Sequence, residues 1–502
     1  IVVTADKAAV KSGSTTVGHV PKGNILKVYE VSGDWYSVRC TEGHTFEGWI
    51  HRRDVIAFEN ALEYYNTELA NNPTAVLYAG RAAVWAAKGE RDVAVSDLTD
   101  AIRLNPSSSE LFRLRGRVYR QERDYDRAIA DFTKSIRLNP RSATPFVSRG
   151  IAYFEKGDYD RAIADYTEAM RLNPVNVWPH NNRGNALKAK GDYDLAIADY
   201  NEAIRVDPKC ALAFRNRGNL HYERGDYDSA IADYDDAIRL NARYTSAFLN
   251  RGNAFYCQDD YDRAIADYTE ALRLDPQNVD ALNNRGAVHK ANGDYDRAIV
   301  DLTAAIRLNP EFTMAYRNRG RAHGKLNNFD RQIADYRAAV RIDPADKCNH
   351  TYLAWALATC PDSSLRDGED AVRHAIRACE LSDWKYASFM STLAAAYAEA
   401  GDFDNAVRWQ QKAIELAERL AQIVVAGNAE AAAALDFERG EVEPAHAGRP
   451  EEEGPHVFHD HRVERLSRLG RGAAQNVFDH LGFRQQRRTE ERVAQRERIV
   501  EA

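Results

Sequence analysis

The chain changes hydrophobic period once. From Ile1 to about Ile56 apolar and polar residues alternate, as in GNILKVYEV and DWYSVRC, and the turn-forming runs VPKGN, VSGD and TEGH separate them. A period of two, punctuated this often, predicts short strands that close into a small barrel. After ENALEYYNTELANNP, a lead-in helix over 57–73, the period becomes helical: Phe248, Arg251 and Phe255 stand at i, i+3 and i+7 and mark one stripe. That stripe recurs. A glycine aligned with Gly252 returns at Gly116, Gly150, Gly184, Gly218, Gly286 and Gly320, at intervals of 34 residues, with Ala82 in the same slot one step earlier. Each unit then runs through a turn into a second helical segment, as in KGDYDRAIADYTEAMRLNP.

Two helices in a 34-residue period are the signature of tetratricopeptide repeats. The chain resembles that family at its diagnostic slots: Gly252 is followed by Ala264, Ala271 and Pro276, and Gly150 by Ala162, Ala169 and Pro174. Small residues let two helices approach closely, and proline cannot continue the helix that it follows. Asp158 and Asp192, just after the turn glycine, are expected to cap the second helix of their units. Eight regular units run from about Thr74 to Pro344. Two looser ones follow, with Ala354 and Ala394 in the glycine slot and an insertion around Pro361 to Gly368.

The expected fold is therefore mainly α: a right-handed α-solenoid of about ten helix pairs over 74–420, preceded by a small all-β barrel at 1–56. The last two units, through LAWALATCPD and AAAYAEAGDFDNAVRWQQKAIELA, resemble a C-terminal capping pair of large bacterial repeat proteins of the planctomycete type. Terminal units of such arrays are expected to be atypical. In the first region, VKSG near Val10, PKG at Pro21 to Gly23, GDWYSV at Gly33 to Val38 and GWI at Gly48 to Ile50 resemble bacterial SH3-type domains. That resemblance implies an attachment module for a cell-envelope or peptide ligand. The alternative is that Trp35, Tyr36 and Trp49 only fill a small core.

Composition narrows the function. With 68 Lys+Arg against 75 Asp+Glu, the net charge of -7 gives no basic field for a phosphate backbone, so nucleic acid is not expected as the main partner. No stretch approaches the roughly 20 apolar residues that span a bilayer. The chain opens on Ile1, directly in strand-like sequence, so a segment ahead of it is expected to have been removed, and a secretory signal could have gone with it. Cytoplasmic and exported locations both remain open. The six cysteines lack the spacing of a disulfide framework or zinc site, and most read as small buried hydrophobes. From 421 to 502 lysine and tyrosine vanish and Arg, Glu, Ala, Gly and His dominate, as in a low-order tail or a shifted reading frame. His456, His459 and His461 there have no second ligand group on a structured element. No phosphate loop, nucleophile elbow, metal-ligand helix or paired-carboxylate setting appears, and His180, His221, His289 and His323 fall on first helices at differing slots without converging. A non-enzymatic protein without cofactor or metal is expected.

Two recurring polar residues need explaining. An arginine lies on the apolar stripe at Arg81, Arg115, Arg149, Arg183, Arg217, Arg251, Arg285 and Arg319, and the same units carry an aspartate 16 residues later: Asp97, Asp131, Asp165, Asp199, Asp233, Asp267, Asp301 and Asp335. Units nine and ten lose both, with Leu353 and Leu393 in the arginine slot. A guanidinium there would be costly unpaired, so a partly buried, two-hydrogen-bond bridge within each repeat is expected, structural in role. Second, asparagines stand two residues before the glycine (Asn182, Asn216, Asn250, Asn284, Asn318) and one after it (Asn185, Asn219, Asn253). At i and i+3 they share a face. This resembles the asparagine ladder in the repeat arm of O-linked N-acetylglucosamine transferases, and in part chaperone-binding repeat clamps, which implies an extended peptide held by its backbone in the concave groove. Arg113, Arg117, Arg215, Arg317 and Arg321, with Trp178, Tyr222 and Tyr256 near them, would favour an acidic segment with an occasional apolar anchor. No catalytic region like that of the transferase follows the array. The expected function is a scaffold for a client protein; the alternative is a structural spacer or targeting subunit that presents the SH3-like domain and leaves its groove empty, the asparagines being ordinary repeat grammar.

Overall fold

A computed structural model describes residues 2–3, 7–12, 15–21, 26–40, 46–51 and 54–425. The tail expected at 421–502, apart from the helical residues up to Val425, and its three histidines lie outside the described residues. The fold is mainly helical, an array of consecutive helix pairs of the solenoid class, and it divides into two compact units, Ile1–Arg217 and Gly218–Ala502.

The first unit begins with seven short strands: β1 (Val2–Val3), β2 (Lys7–Ser12), β3 (Thr15–Pro21), β4 (Val28–Ser32), β5 (Trp35–Cys40), β6 (Phe46–His51) and β7 (Val55–Ile56). Five form an antiparallel sheet in the order β3-β2-β6-β5-β4, while β1 pairs with β7. The alternating residues Val10, Val20, Val38 and Ile50 turn inward and bury, with Val3 and Leu26, as one small core. Gly48 is needed here because a Cβ would come within 2.6 Å of the Lys11 carbonyl oxygen. Tyr36 packs against the core, whereas Trp35 meets His51 edge-on at 4.8 Å.

The lead-in helix is α1 (Ala61–Asn71). Its Tyr65 is fully buried against Gly80, so α1 closes the open end of the first pair. The pairs of this unit are α2 and α3 (Ala75–Ala87, Arg91–Leu104), α4 and α5 (Ser109–Gln121, Tyr125–Leu138), α6 and α7 (Ala143–Glu155, Tyr159–Leu172), and α8 and α9 (Val177–Ala189, Tyr193–Val206). Next comes α10 (Ala211–Glu223).

The second unit continues with α11 (Tyr227–Leu240), then α12 and α13 (Thr245–Cys257, Tyr261–Leu274), α14 and α15 (Val279–Ala291, Tyr295–Leu308), and α16 and α17 (Thr313–Lys325, Phe329–Ile342). The two looser units follow as α18 and α19 (Lys347–Thr359, Gly368–Leu381) and α20 and α21 (Ala387–Glu399, Phe403–Val425). Between α18 and α19 the insertion forms a single short turn of 3-10 helix at Ser363–Leu365. These last pairs share the largest apolar cluster, in which Leu353 and Leu393 fill the arginine slot and are buried, and Trp384 stacks on Trp409 at 4.7 Å.

The anchor glycine is set by packing. A Cβ on Gly184 would sit 2.6 Å from the ring of Tyr200, and one on Gly252 2.8 Å from Tyr268, each ring fully buried one helix away. Most second helices start at an aspartate, the exceptions being α3 at Glu90 and α17 at Asn328. Asp158 accepts from the Arg161 amide, as do Asp124, Asp226, Asp260 and Asp294 from their own third residues. Asp192 corrects the expectation: it holds the N-cap position, but its side chain makes no cap bond.

Candidate interaction surface

The arginines are clamps with two arms. Arg149 donates through Nε and Nη2 to both carboxylate oxygens of Asp165, at 2.8 and 2.7 Å. Arg81, Arg115 and Arg183 in the first unit, and Arg251, Arg285 and Arg319 in the second, meet Asp97, Asp131, Asp199, Asp267, Asp301 and Asp335 in the same two-pronged way, all within 2.9 Å. The carboxylates are nearly buried and the guanidinia about one-fifth exposed, 7% and 19% for Asp165 and Arg149. The bond to Asp165 keeps the Arg149 guanidinium charged, above its ordinary value, although burial works against it.

The second arm was not read from the sequence. Through Nη1 Arg81 reaches back to Asn66 on α1 at 2.8 Å and each later arginine to the preceding second helix: Arg115 to Thr99 and Arg149 to Thr133 at 3.0 Å, Arg183 to Thr167 at 2.9 Å, Arg285 to Thr269 and Arg319 to Thr303 at 3.1 Å, Arg217 to Asn201 and Arg251 to Asp235. The bridge therefore joins a repeat to its predecessor as well as its own two helices. Asp233 lies buried on α11. The signal existed, since a residue able to accept recurs 16 positions before each of these arginines from Arg115 on.

The asparagines form relays across repeat boundaries. In the first unit the Tyr200 hydroxyl donates to Asn185 Oδ1 at 2.7 Å, and the same oxygen accepts from Asn216 Nδ2 at 3.3 Å. The second unit repeats this with Tyr234, Asn219 and Asn250 at 2.9 and 2.8 Å, and with Tyr268, Asn253 and Asn284 at 2.7 and 3.0 Å. The sharing of one helix face at i and i+3 is thus not what couples these side chains; each amide mates with the neighbouring repeat. Where the tyrosine slot holds Leu302, the asparagine slot holds Ala287.

Other expected residues are also engaged. Asn216 also donates to Asn181 at 2.8 Å, and its Oδ1 accepts from Arg215 at 2.7 Å. Asn318 donates to Asn283 and accepts from Lys290, both at 3.1 Å. Arg317 is held by Asp346 and Asn349. Asn182 is half-buried on α8. What the relays leave over is regular: with Oδ1 of Asn185, Asn219 and Asn253 fixed by two donors, no described residue takes the Nδ2 of any of them.

The histidines need a correction. His221, His289 and His323 share one slot, three residues after the anchor glycine, where they flank the buried aspartates: His221 Nε2 is 4.0 Å from Asp233 and His289 Nε2 3.9 Å from Asp301. Burial pushes His180, His289 and His323 below the ordinary imidazole value. Among the described residues no group of three His, Cys, Asp or Glu side chains is placed to hold a metal ion, and no helix is long and apolar enough to cross a membrane.

Comparison with known proteins agrees with this geometry. Tetratricopeptide repeat models match residues 85–143, 181–245 and 288–347, a TPR repeat model matches 150–191 and 252–293, and a further tetratricopeptide repeat model matches 387–422. The chain belongs to the tetratricopeptide repeat family, whose members are typically non-enzymatic scaffolds that bind protein partners. Solved structures similar to it include yeast Tom70, at 18% identity and TM-score 0.40 over 77% of this chain and 94% of that one. A tetratricopeptide repeat protein from Parabacteroides merdae ATCC 43184 matches at 19% and 0.39 over 52% and 99%. YrrB, a TPR protein described as having an unusual peptide-binding site, matches at 22% and 0.32 over 36% and 92%. No curated protein matches the sequence.

Proposed function

We propose that the protein is a scaffold that holds an extended segment of a client along its first helices by reading the backbone. One observation carries this: the relays clamp Asn185, Asn219 and Asn253 by their oxygens and leave a rigid amide donor on each, once per repeat. A fixed donor loses little entropy on binding and suits a peptide carbonyl of any sequence. In the same reading the N-terminal sheet is an SH3-like attachment module for an envelope or peptide ligand, supported by its strand pattern and the half-buried aromatics Trp35, Tyr36 and Trp49.

Asparagine to aspartate separates the roles, because a carboxylate still accepts from Tyr234 and Asn250 but can no longer donate. Peptides selected from a library on the full chain are expected to bind the Asn219→Asp, Asn253→Asp variant at least roughly tenfold more weakly, with its circular dichroism unchanged. Equal binding would make the asparagines structural only and favour the spacer that presents the N-terminal domain.

A further inference from the structure

Unit nine does not simply lose the arginine clamp; it exchanges every position of it. The seventh residue of the second helix, an aspartate from α3 to α17, is His374 in α19. The ninth residue, which accepts the second arm of the next repeat's arginine from Thr99 to Thr303, is Arg337 in α17. Leu353 stands in the arginine slot, and four residues before the anchor, where α12 has Phe248 and α16 has Tyr316, α18 has His350. A chain of polar contacts replaces the clamp. His350 Nε2 lies 3.0 Å from the carbonyl oxygen of Pro344, ahead of α18, and its Nδ1 lies 2.9 Å from Nδ1 of His374 on α19. Nε2 of His374 is 3.3 Å from Asp370, whose carboxylate is also held by Arg337 at 2.9 Å and by Arg373 at 2.7 Å. His350 and Asp370 are both buried.

Hydrogens can be counted along this chain. A carbonyl only accepts, so Nε2 of His350 carries one; a second lies between the two Nδ1 atoms, and the contact with Asp370 needs a third. Two neutral rings bring two. A third proton has a place, on Nε2 of His374 against the carboxylate, but a fourth would set two N–H groups against each other across 2.9 Å and leave two adjacent imidazolium ions. The surrounding charges resist it. His374 is faced by His350 on α18, by Arg337 on α17 and by Arg373 on its own helix, with Asp370 the one acid among them. Lys347 lies over the ring of Tyr386, Asp346 is taken by Arg317, and the single charged side chain of α20, Glu399, is taken by Arg366. Burial first, and then these cations, push His374 below the ordinary imidazole value, with Asp370 working against them. We propose that the packing of α18 on α19 is an acid-released latch, closed while His350 and His374 share the hydrogen between their Nδ1 atoms and opened when both rings become charged. It lies where the regular clamps stop. The sign follows from proton counting: below pH 6.5 the unfolded segment charges both rings while the closed joint refuses at least one proton, so acid favours opening.

The test is amide hydrogen exchange of the full chain, followed by mass spectrometry between pH 7.5 and pH 5 and corrected for the intrinsic exchange rate at each pH. A joint that refuses one proton opens about tenfold more readily for each pH unit below the ordinary imidazole value, so α18 and α19 are expected to lose protection with a slope approaching that. The control is α12 and α13, which contain no histidine and are expected to change little over the same range. His374→Gln removes the ring at the centre of the chain, and His350→Phe installs the residue that α12 carries in the same slot; each is expected to flatten the slope in α18 and α19 and to leave α12 and α13 as they were. A slope in α18 and α19 no steeper than in α12 and α13 overturns the proposal, as does a steep slope that survives both substitutions. Should both variants fold poorly, the comparison of the two helix pairs in the unaltered chain still decides, because only the latch sets them apart at acid pH.

Discussion

A guanidinium on an apolar stripe is tolerated because its partners are fixed on both sides. Removing the acceptor shows how much depends on it. Asp267→Asn keeps the volume but replaces the buried carboxylate of Arg251 with a neutral amide, leaving the half-exposed Asp235 as its charged partner, and is expected to cost about 2 kcal/mol, less than for a fully buried pair because the guanidinium is 19% exposed and still paired. Arg251→Leu should cost as much by stranding the carboxylate, and adding Asp267→Leu should recover most of it; thermal melts of the three variants check the order. The histidines add a pH dependence with a definite sign. Since burial lowers His180, His289 and His323 below 6.5, the unfolded chain takes up protons that the folded chain refuses. Stability present above pH 6.5 should therefore fall as pH drops through that value, and His289→Gln should flatten the decline in urea midpoint between pH 7.5 and pH 5.5. The Arg–Asp spacing was legible because both partners lie within one unit and disappear together in units nine and ten. The asparagine relays were not, because their partners belong to the next repeat and include a tyrosine that reads as plain core.

The helix pair is where sequence and structure agree most closely, and its turn shows why. Between the two helices one residue must adopt a left-handed conformation, met by Gly157, Gly191, Gly225 and Gly293 with φ between 76° and 86°. Three turns place Arg123, Asp259 and Asn327 there, each with φ of 60°. Asparagine and aspartate tolerate that region better than a long side chain does, so Arg123 bears the largest strain. Arg123→Gly is expected to stabilise the α4 and α5 pair by about 1 kcal/mol, read as slower amide exchange in those helices and a higher melting temperature. The anchor glycine was legible for its position but not for its cause, since only the structure brings the Tyr200 ring against Gly184. The strands were legible from alternation, and the missing cap bond at Asp192 was not, because a capping residue type does not determine its side-chain rotamer.

At the scale of the whole molecule the hydropathy of the chain anticipated that no helix among the described residues is long and apolar enough to cross a membrane, but composition could not show that α16 and α18 are free of acids, since that needs the helix boundaries. Nor could it show that the repeats are fastened to one another by the same few bonds each time. The relay and the arginine clamp together make the junctions from Asn219 to Asn284 present the same half to the next. A tandem copy of residues 219–252 inserted after Gly252 would give the first Arg251 a new Asp233, the new Asn219 a new Tyr234, and Gly252 a new aromatic ring. Each of these three would find the kind of partner it already has. Such a gene could lengthen in frame by unequal crossing-over without a period of misfolding between the shorter form and the longer one, so length itself is a trait this architecture leaves free to vary.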